Sequence, residues 1–293
     1  MIFPASQITG TDCPSWSDSA LTVEVFVRRS RLPLVSVVLA TIVTLGIALA
    51  APAAAAGARY VALGDSYSSG VGSGSYISSS GSCLRSTLAY SQLWANAHAP
   101  SSYVSVACSG AKTTDVTATQ LSALSSATTL VSITIGGNDL NFAGVMEDCV
   151  LYSTTTCVNE LNAAEVTAQN QLPGWLDTTY NAIRAHARSA TVVVVDYPRF
   201  YHDLWYCIGL SSADRNKINE AADVLDGVIQ NAAGRHGFKF ADVRAAFASG
   251  HEICDGSSWL HSVDWTNIVQ SYHPTASGQS GGYLPAFSAQ AGA

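Results

Sequence analysis

The chain has 293 residues, 48% of them hydrophobic and only 12% charged, with a formal net charge of −7. That length supports a full single-domain core, while an acidic chain without a basic run beyond residue 56 excludes nucleic acid as a partner, because phosphate contacts need clustered Lys and Arg. Seven cysteines occur without a C-x-x-C or H-E-x-x-H pattern, which argues against a metal site and leaves no cofactor implied.

The amino-terminal 56 residues read as a leader rather than as core. Arg28, Arg29 and Arg31 precede an uncharged stretch from Leu32 to Ala51, followed by Pro52 and the small residues Ala53 to Ala56. A positive flank, an apolar run and an Ala-x-Ala ending form the layout of a secretory signal, cleaved near Ala56. The alternative is a retained anchor, since the run is long enough to span a bilayer. Residues 1–26 carry Asp12, Asp18 and Glu24 ahead of the arginines, which is unusual for a signal; initiation is expected nearer Val23 or Val27. The leader holds three acids and three arginines, so the remaining residues 57–293 keep the charge of −7.

Five apolar, β-branched runs punctuate the remainder: Arg59–Leu63, Tyr103–Ala107, Leu130–Ile135, Thr191–Asp196 and Phe238–Val243. Stretches with helical periodicity separate them. The clearest spans Leu172 to Arg188, with Trp175, Leu176, Thr179, Ile183 and Ala187 on one face; a second spans Ser212 to His236, with Ile218, Ala222, Leu225, Ile229 and Ala233 recurring at three and four. Ser212 marks the start of the second helix, and Gly234 and Gly237 are its stop signals. Strands alternating with helices predict one α/β domain with three layers, a parallel five-stranded sheet covered on both faces in the flavodoxin-like order 2-1-3-4-5. The Gly/Ser-rich stretch Gly70–Gly81 is expected to form a loop over the site, tied down by Cys83.

The chemistry-bearing residues sit where these strands end. Gly64-Asp65-Ser66 follows the first run, Ser109-Gly110 the second and Gly136-Gly137-Asn138-Asp139 the third; His273-Pro274 lies near the carboxyl end. In a 2-1-3 order the first three strands are neighbours, and their carboxyl ends converge on one crevice, where open α/β sheets bind ligands. A serine hydroxyl needs a base to take its proton, and His273 is the candidate. The oxyanion formed by attack on a carbonyl needs preorganised donors; the Ser66 N–H, the Gly110 N–H and the Asn138 side-chain amide are the candidates. Each turn taken alone is also an ordinary β–α connection, because Gly, Ser, Asn and Asp are expected there.

Losing Cys13 with the leader leaves six cysteines, an even count that reads as a disulfide set in an exported chain. Fifteen connectivities exist for six cysteines. Spacing favours nearest neighbours: Cys83–Cys108, Cys149–Cys157 and Cys207–Cys254.

The segments Gly64-Asp65-Ser66-Tyr67-Ser68, Gly110, Gly137-Asn138-Asp139 and His273 resemble the four blocks of the SGNH (GDSL) hydrolases, in order and spacing, over nearly the whole mature chain. They look most like secreted bacterial GDSL lipases and A-type phospholipases, which carry similar Y-V-A-L-G-D-S-Y-S-S-G and S-Y-H-P-T-A segments. The resemblance implies Ser66 as nucleophile, His273 as base, Ser66, Gly110 and Asn138 as oxyanion donors, and the same three disulfides. The serine segment is not the G-x-S-x-G elbow of the α/β-hydrolases. Many members carry an aspartate three residues before the histidine, where this chain has Gln270. Either Asp264 or a main-chain carbonyl near Ser271 must then orient His273, and the carbonyl is the favoured reading, giving a Ser–His dyad.

Other polar residues are assigned lesser roles. Asp65 is expected to bond backbone groups of its own turn. His98, His186, His202, His236, His251 and His261 lack ligand-like spacing and read as surface or packing residues. Asp139 either orients Asn138 or starts a helix. Trp205 and Tyr206, beside Cys207, either line an acyl groove or pack in the core. The expected function is a secreted, monomeric serine ester hydrolase acting on lipid esters, in at most transient contact with a lipid interface. A carbohydrate acetylesterase and a non-catalytic binding module on the same scaffold are the alternatives.

Overall fold

The computed structural model describes residues 57–292; the expected leader and its cleavage site lie outside them. Five strands, β1 (Arg59–Gly64), β2 (Ser102–Ser105), β3 (Leu130–Thr134), β4 (Thr191–Val195) and β5 (Lys239–Ala241), form one parallel sheet in the order β2-β1-β3-β4-β5. This is the expected order. The central strands are apolar on both faces because helices cover both. Val192 to Val195 are at most 1% exposed, and each such side chain contributes about 2 kcal/mol by leaving water, an upper estimate.

Two single turns, α1 (Ser66–Ser69) and α3 (Thr113–Asp115), follow β1 and β2. The full helices are α2 (Tyr90–His98), α4 (Phe142–Leu151), α5 (Thr154–Asn170), α6 (Leu172–His186) and α7 (Ser212–Arg235). One face of the sheet carries α2 and the last helix, Leu284–Ala291; the other carries α5, α6 and α7, with α4 packed on α5. α7 starts at Ser212 as expected, and the residue before it, Ser211, is its cap. The Ser211 hydroxyl accepts Asp214 N–H and Asp214 returns a bond to Ser211 N–H, a capping box. The helix stops before Gly237, which takes a left-handed φ of +63°. On α6 the buried face is Leu176, Thr179, Tyr180 and Ile183, and Trp175 turns outward at 36% exposed.

The edge strand β2 is shorter than the apolar run 103–107 suggested, because the chain leaves regular pairing after Ser105. It does not leave the sheet's neighbourhood: Val106 N–H donates to Ala62 O and Cys108 N–H to Gly64 O, both at 2.9 Å. Cys108 therefore arrives beside the end of β1, where it is bonded to Cys83. The other pairs are Cys149–Cys157, joining the end of α4 to the start of α5, and Cys207–Cys254, joining the loops after β4 and β5. Loops of 25 and 47 residues closed by the first and third bridges are worth roughly 3–4 kcal/mol each in the chain-entropy account.

Candidate active site

β1 ends at Gly64, whose φ of +119° disfavours any side chain and where a Cβ would lie 2.4 Å from the Thr134 carbonyl oxygen. Buried Gln120 grips this residue from both sides, accepting Gly64 N–H at 2.8 Å and donating to Gly64 O at 2.9 Å. Asp65 then caps α1 by accepting Tyr67 N–H at 3.0 Å. Ser66 becomes the first residue of the turn, so its own N–H has no acceptor within the helix. Register does the rest: Gly64 of β1 pairs with Thr134 of β3, which brings the Ser66 turn and the Gly137–Asn138 turn to the same edge.

Ser66 Oγ lies 2.8 Å from His273 Nε2, and His273 Nδ1 lies 3.0 Å from the Ser271 carbonyl oxygen. A carbonyl can only accept, so it fixes the proton on Nδ1 and leaves the Nε2 lone pair facing the serine hydroxyl. Tyr272, between the two, adopts a left-handed φ of +63° that bends the chain back on itself. The Tyr67 hydroxyl holds that bend by donating to Tyr272 O at 2.7 Å, and the Tyr67 ring packs 5.2 Å from the imidazole. Burial pushes the His273 imidazole down to about 4, against the hydrogen bond to Ser271 and with His261 acting in the same direction as burial. The base is therefore held neutral, the form that can accept a proton.

Asp264 does not reach the histidine. Its carboxylate accepts from the Thr266 hydroxyl at 2.6 Å, the Gln270 amide at 2.6 Å and the Asn267 N–H at 3.2 Å. Gln270 thus fastens Asp264 in its own loop, and the Ser271 carbonyl is the group placed to orient His273.

Gly110 has φ +80° with open space where a Cβ would be. One N–H of the Asn138 amide donates to Ala111 O at 3.0 Å, which fixes the side chain and leaves the second N–H for a ligand. Ser66, Gly110, Asn138 and His273 line one cleft of about 550 Å³, within the range of small-molecule sites. Its walls are apolar, with Met146, Val150, Leu161, Ile218 and Leu225 supplied by α4, α5 and α7.

Three expectations need correction. Asp139 does not orient Asn138; its carboxylate accepts the Thr113 N–H and, at 2.6 Å, the Thr113 hydroxyl, latching the Asn138 turn to the turn after Gly110. Trp205 and Tyr206 neither line the cleft nor pack in the core: they are 93% and 53% exposed on a loop that Cys207 and Arg215 hold in place. The Gly70–Gly81 stretch is fastened through Cys83 but does not roof the cleft. Gly72 abuts His273 from the side, where a Cβ would come within 3.0 Å of the histidine Cβ, and its carbonyl meets His261 Nε2 at 2.8 Å. His261 thereby supports the histidine loop. The remaining five histidines bond local carbonyls or acids: Trp94 O, Ala182 O, Asp255, Asp177 and Ser257 O for His98, His186, His202, His236 and His251.

The sequence model of the GDSL-like lipase/acylhydrolase family matches residues 62–280. The chain belongs to that family. It is a carboxylic ester hydrolase of the SGNH fold, and its relatives in sequence and structure agree. It is 59% identical over 236 residues to Lipase 1 of Streptomyces coelicolor, covering 80% of this chain and 87% of that one. It is 53% identical over 227 residues to a lipase of Streptomyces rimosus, covering 77% and 84%. The crystal structure of a phospholipase A1 from Streptomyces albidoflavus superposes with a TM-score of 0.79 at 55% identity, covering 80% of this chain and all of that one.

Two parts of this GDSL site were not singled out from the sequence. Tyr197 directly follows the β4 run, a position at the same carboxyl edge as the other site residues; its hydroxyl donates to Asp65 and accepts Gly137 N–H at 3.1 Å. Position at that edge was the available signal. The apolar wall from α4 and α5 carried a weaker one, because residues 142–170 lack the clear one-sided pattern of α6 and α7.

Proposed function

We propose that this GDSL hydrolase is a secreted lipid esterase that works through an acyl-enzyme on Ser66, with His273 as general base. The observation that carries the reading is the 2.8 Å contact between Ser66 Oγ and His273 Nε2 at the foot of an apolar cleft. Ser66 Oγ attacks the ester carbonyl carbon as Nε2 takes its proton. The carbonyl oxygen becomes an oxyanion facing the Ser66 and Gly110 N–H groups and the free N–H of Asn138. Collapse of this intermediate expels the alcohol, which leaves with the proton from Nε2. Water then attacks the acyl carbon, Nε2 again takes a proton, and the carboxylic acid departs with Ser66 restored. The imidazolium formed at each attack is stabilised through Nδ1–H and the Ser271 carbonyl, without a carboxylate.

Lipid acyl chains suit the cleft better than acetylated sugars do. A carbohydrate site needs polar partners for ring hydroxyls, whereas α4, α5 and α7 offer Met, Val, Leu and Ile. Export is supported by the three disulfides and by the likeness to an extracellular lipase of Streptomyces rimosus, 52% identical with a TM-score of 0.78. The same reading has a monomer released by cleavage near Ala56, and amino-terminal sequencing of the supernatant protein distinguishes it from a form tethered by Leu32–Ala51.

Hydrolysis rates across nitrophenyl esters from C2 to C16, beside a Ser66→Ala control, test the function. Rates that hold or rise beyond C4 are expected; a steep fall beyond C4 returns the acetylesterase reading. A fluorophosphonate probe should label Ser66 stoichiometrically, and an unlabelled protein would be a binding module that has lost turnover.

A further inference from the structure

One phenol on the apolar wall of the cleft carries a proton that nothing in the fold accepts. Tyr272 lines the cleft at 5% exposed, with its ring packed edge-on against Phe142 and Phe200, which line it too. Tyr201 is 4% exposed and lies outside that lining. The two hydroxyl oxygens are 3.1 Å apart, and Tyr201 donates to Tyr272. Burial demands that direction. Among the described residues Tyr272 is the one partner of the Tyr201 hydroxyl, so a reversed bond would strand the Tyr201 proton in the core. The Tyr272 oxygen is therefore the acceptor, and its own proton finds no acceptor among the described residues. Burial pushes this phenol above its ordinary value, with Tyr201 adding to it, so it remains a donor.

We propose that the Tyr272 hydroxyl is a specificity-determining donor that reads an acceptor oxygen carried on the acyl chain, a hydroxyl, keto or ether group set apart from the scissile ester. The inference rests on the lipid-ester reading, in which the acyl chain follows the apolar wall. The surroundings select this ligand. The scissile carbonyl has its own donors at Ser66, Gly110 and Asn138. A sugar would need several polar partners, whereas the wall otherwise offers Met146, Val150, Ile218 and Leu225. A plain alkyl chain takes the hydroxyl out of water and leaves it unpaired, while an oxygenated chain of the same length meets it. A single placed donor in an apolar site therefore discriminates between chains of equal size. The donor is also held in place. Tyr272 O accepts the Tyr67 hydroxyl at 2.7 Å, and Tyr272 N–H donates to His261 O at 3.0 Å.

The test measures kcat/KM on dissolved nitrophenyl octanoate and on analogues in which an ether oxygen replaces one chain methylene at successive positions. Each ester is run on the parent and on Tyr272→Phe, and the parent-to-variant ratio removes the ester's intrinsic reactivity. That ratio should peak at about three- to tenfold for one or two neighbouring oxygen positions. On the plain octanoate the variant should be faster than the parent by about twofold, because the chain then covers no unpaired hydroxyl. Tyr201→Phe leaves the Tyr272 hydroxyl in place and should keep the peak. The double variant Tyr201→Phe/Tyr272→Phe strands no proton, so it should reproduce the Tyr272→Phe pattern even where the single variant is unstable. A ratio equal at every position would leave the proton to water alone and overturn the proposal. A peak lost equally in Tyr201→Phe would trace it to ring packing and overturn it too. Failure of the lipid-ester reading looks different, since parent rates on plain esters would then already fall steeply beyond C4.

Discussion

The Tyr197 hydroxyl donates a hydrogen bond to Asp65, the residue immediately before the candidate nucleophile. Because the same oxygen accepts Gly137 N–H, one phenol ties the serine turn to the turn that carries Asn138. Burial pushes the Asp65 carboxyl up to about 7 despite the hydrogen bonds it accepts from Tyr197 and from Tyr67 N–H, so this junction is sensitive to losing a donor. Tyr197→Phe is expected to lower kcat about ten- to hundredfold with KM within about twofold, since the phenol touches loops that meet the transition state rather than the acyl chain. Steady-state kinetics on a soluble ester check this; an unchanged kcat would reduce Tyr197 to packing.

The Ser271 carbonyl, not Asp264, faces His273 Nδ1. Asp264→Asn should therefore keep activity within about threefold, whereas His273→Ala should lose about 10³-fold or more. A collapse in the Asp264 variant, with its fold verified by melting temperature, would restore a carboxylate-assisted triad.

Asn138 is held by Ala111 with one amide hydrogen left for the substrate oxygen. Asn138→Ala should cost about 3–4 kcal/mol of transition-state stabilisation, a fall of roughly 10²–10³ in kcat with little change in KM. A loss confined to KM would place the amide on the ground-state substrate instead.

Burial holds the His273 imidazole down at about 4, below its ordinary value near 6.5. A base must be neutral to act, so the His273 limb of kcat/KM should appear only as pH falls toward 4, and an inflection near 7 would belong to the Asp65 carboxyl. An acid limb centred near 6.5 that persists in Asp65→Asn would show an ordinary, solvated histidine. Stability follows the same sign. Between about 6.5 and 4 the unfolded chain takes a proton that the folded ring refuses, so this group subtracts stability as pH falls through that window and nothing above it.

Much of this site is legible in local residue order, and the limits are physical. Strand order, the Ser66, Gly110 and Asn138 turns and the neighbouring cysteine pairs follow from short-range pattern and crossover rules. The Ser271 carbonyl is harder to read, because a main-chain acceptor leaves no residue-type signature; Gln270 in place of an acid was the hint. The Asp139–Thr113 latch and the Gln120–Gly64 clamp join residues 26 and 56 positions apart, and side-chain partners at such range are set by packing rather than periodicity. Trp205 shows the same limit from the other side. An aromatic next to a cysteine suggests burial, yet the disulfide and Arg215 fix the loop without needing the indole, which is left in solvent.

Beneath the site, Asp196 and Asp226 are fully buried at the end of β4 and in the middle of α7, each with one oxygen bonded to a backbone N–H: Val243 for Asp196 and Tyr197 for Asp226. Their second oxygens find no hydrogen-bond partner; the Arg244 guanidinium, itself bonded to Asp242 at 2.6 Å, lies 3.5 and 3.8 Å from them, and the Asp242 carboxylate is a further neighbour of both acids. Burial pushes both carboxyls well above the usual range, and for Asp196 the neighbouring Asp226 adds to it. Arg244 is thus the counter-charge that lets acid remain under the Tyr197 backbone. Arg244→Met should destabilise the fold by about 2 kcal/mol near pH 8, less than a fully buried pair because Arg244 is itself 27% exposed. The loss should shrink toward pH 5, where carboxyls raised by burial take up protons and no longer need a cation. Denaturant titrations of parent and variant at the two pH values measure the difference, and a penalty that stays constant or grows at pH 5 would mean that the arginine acts through packing alone.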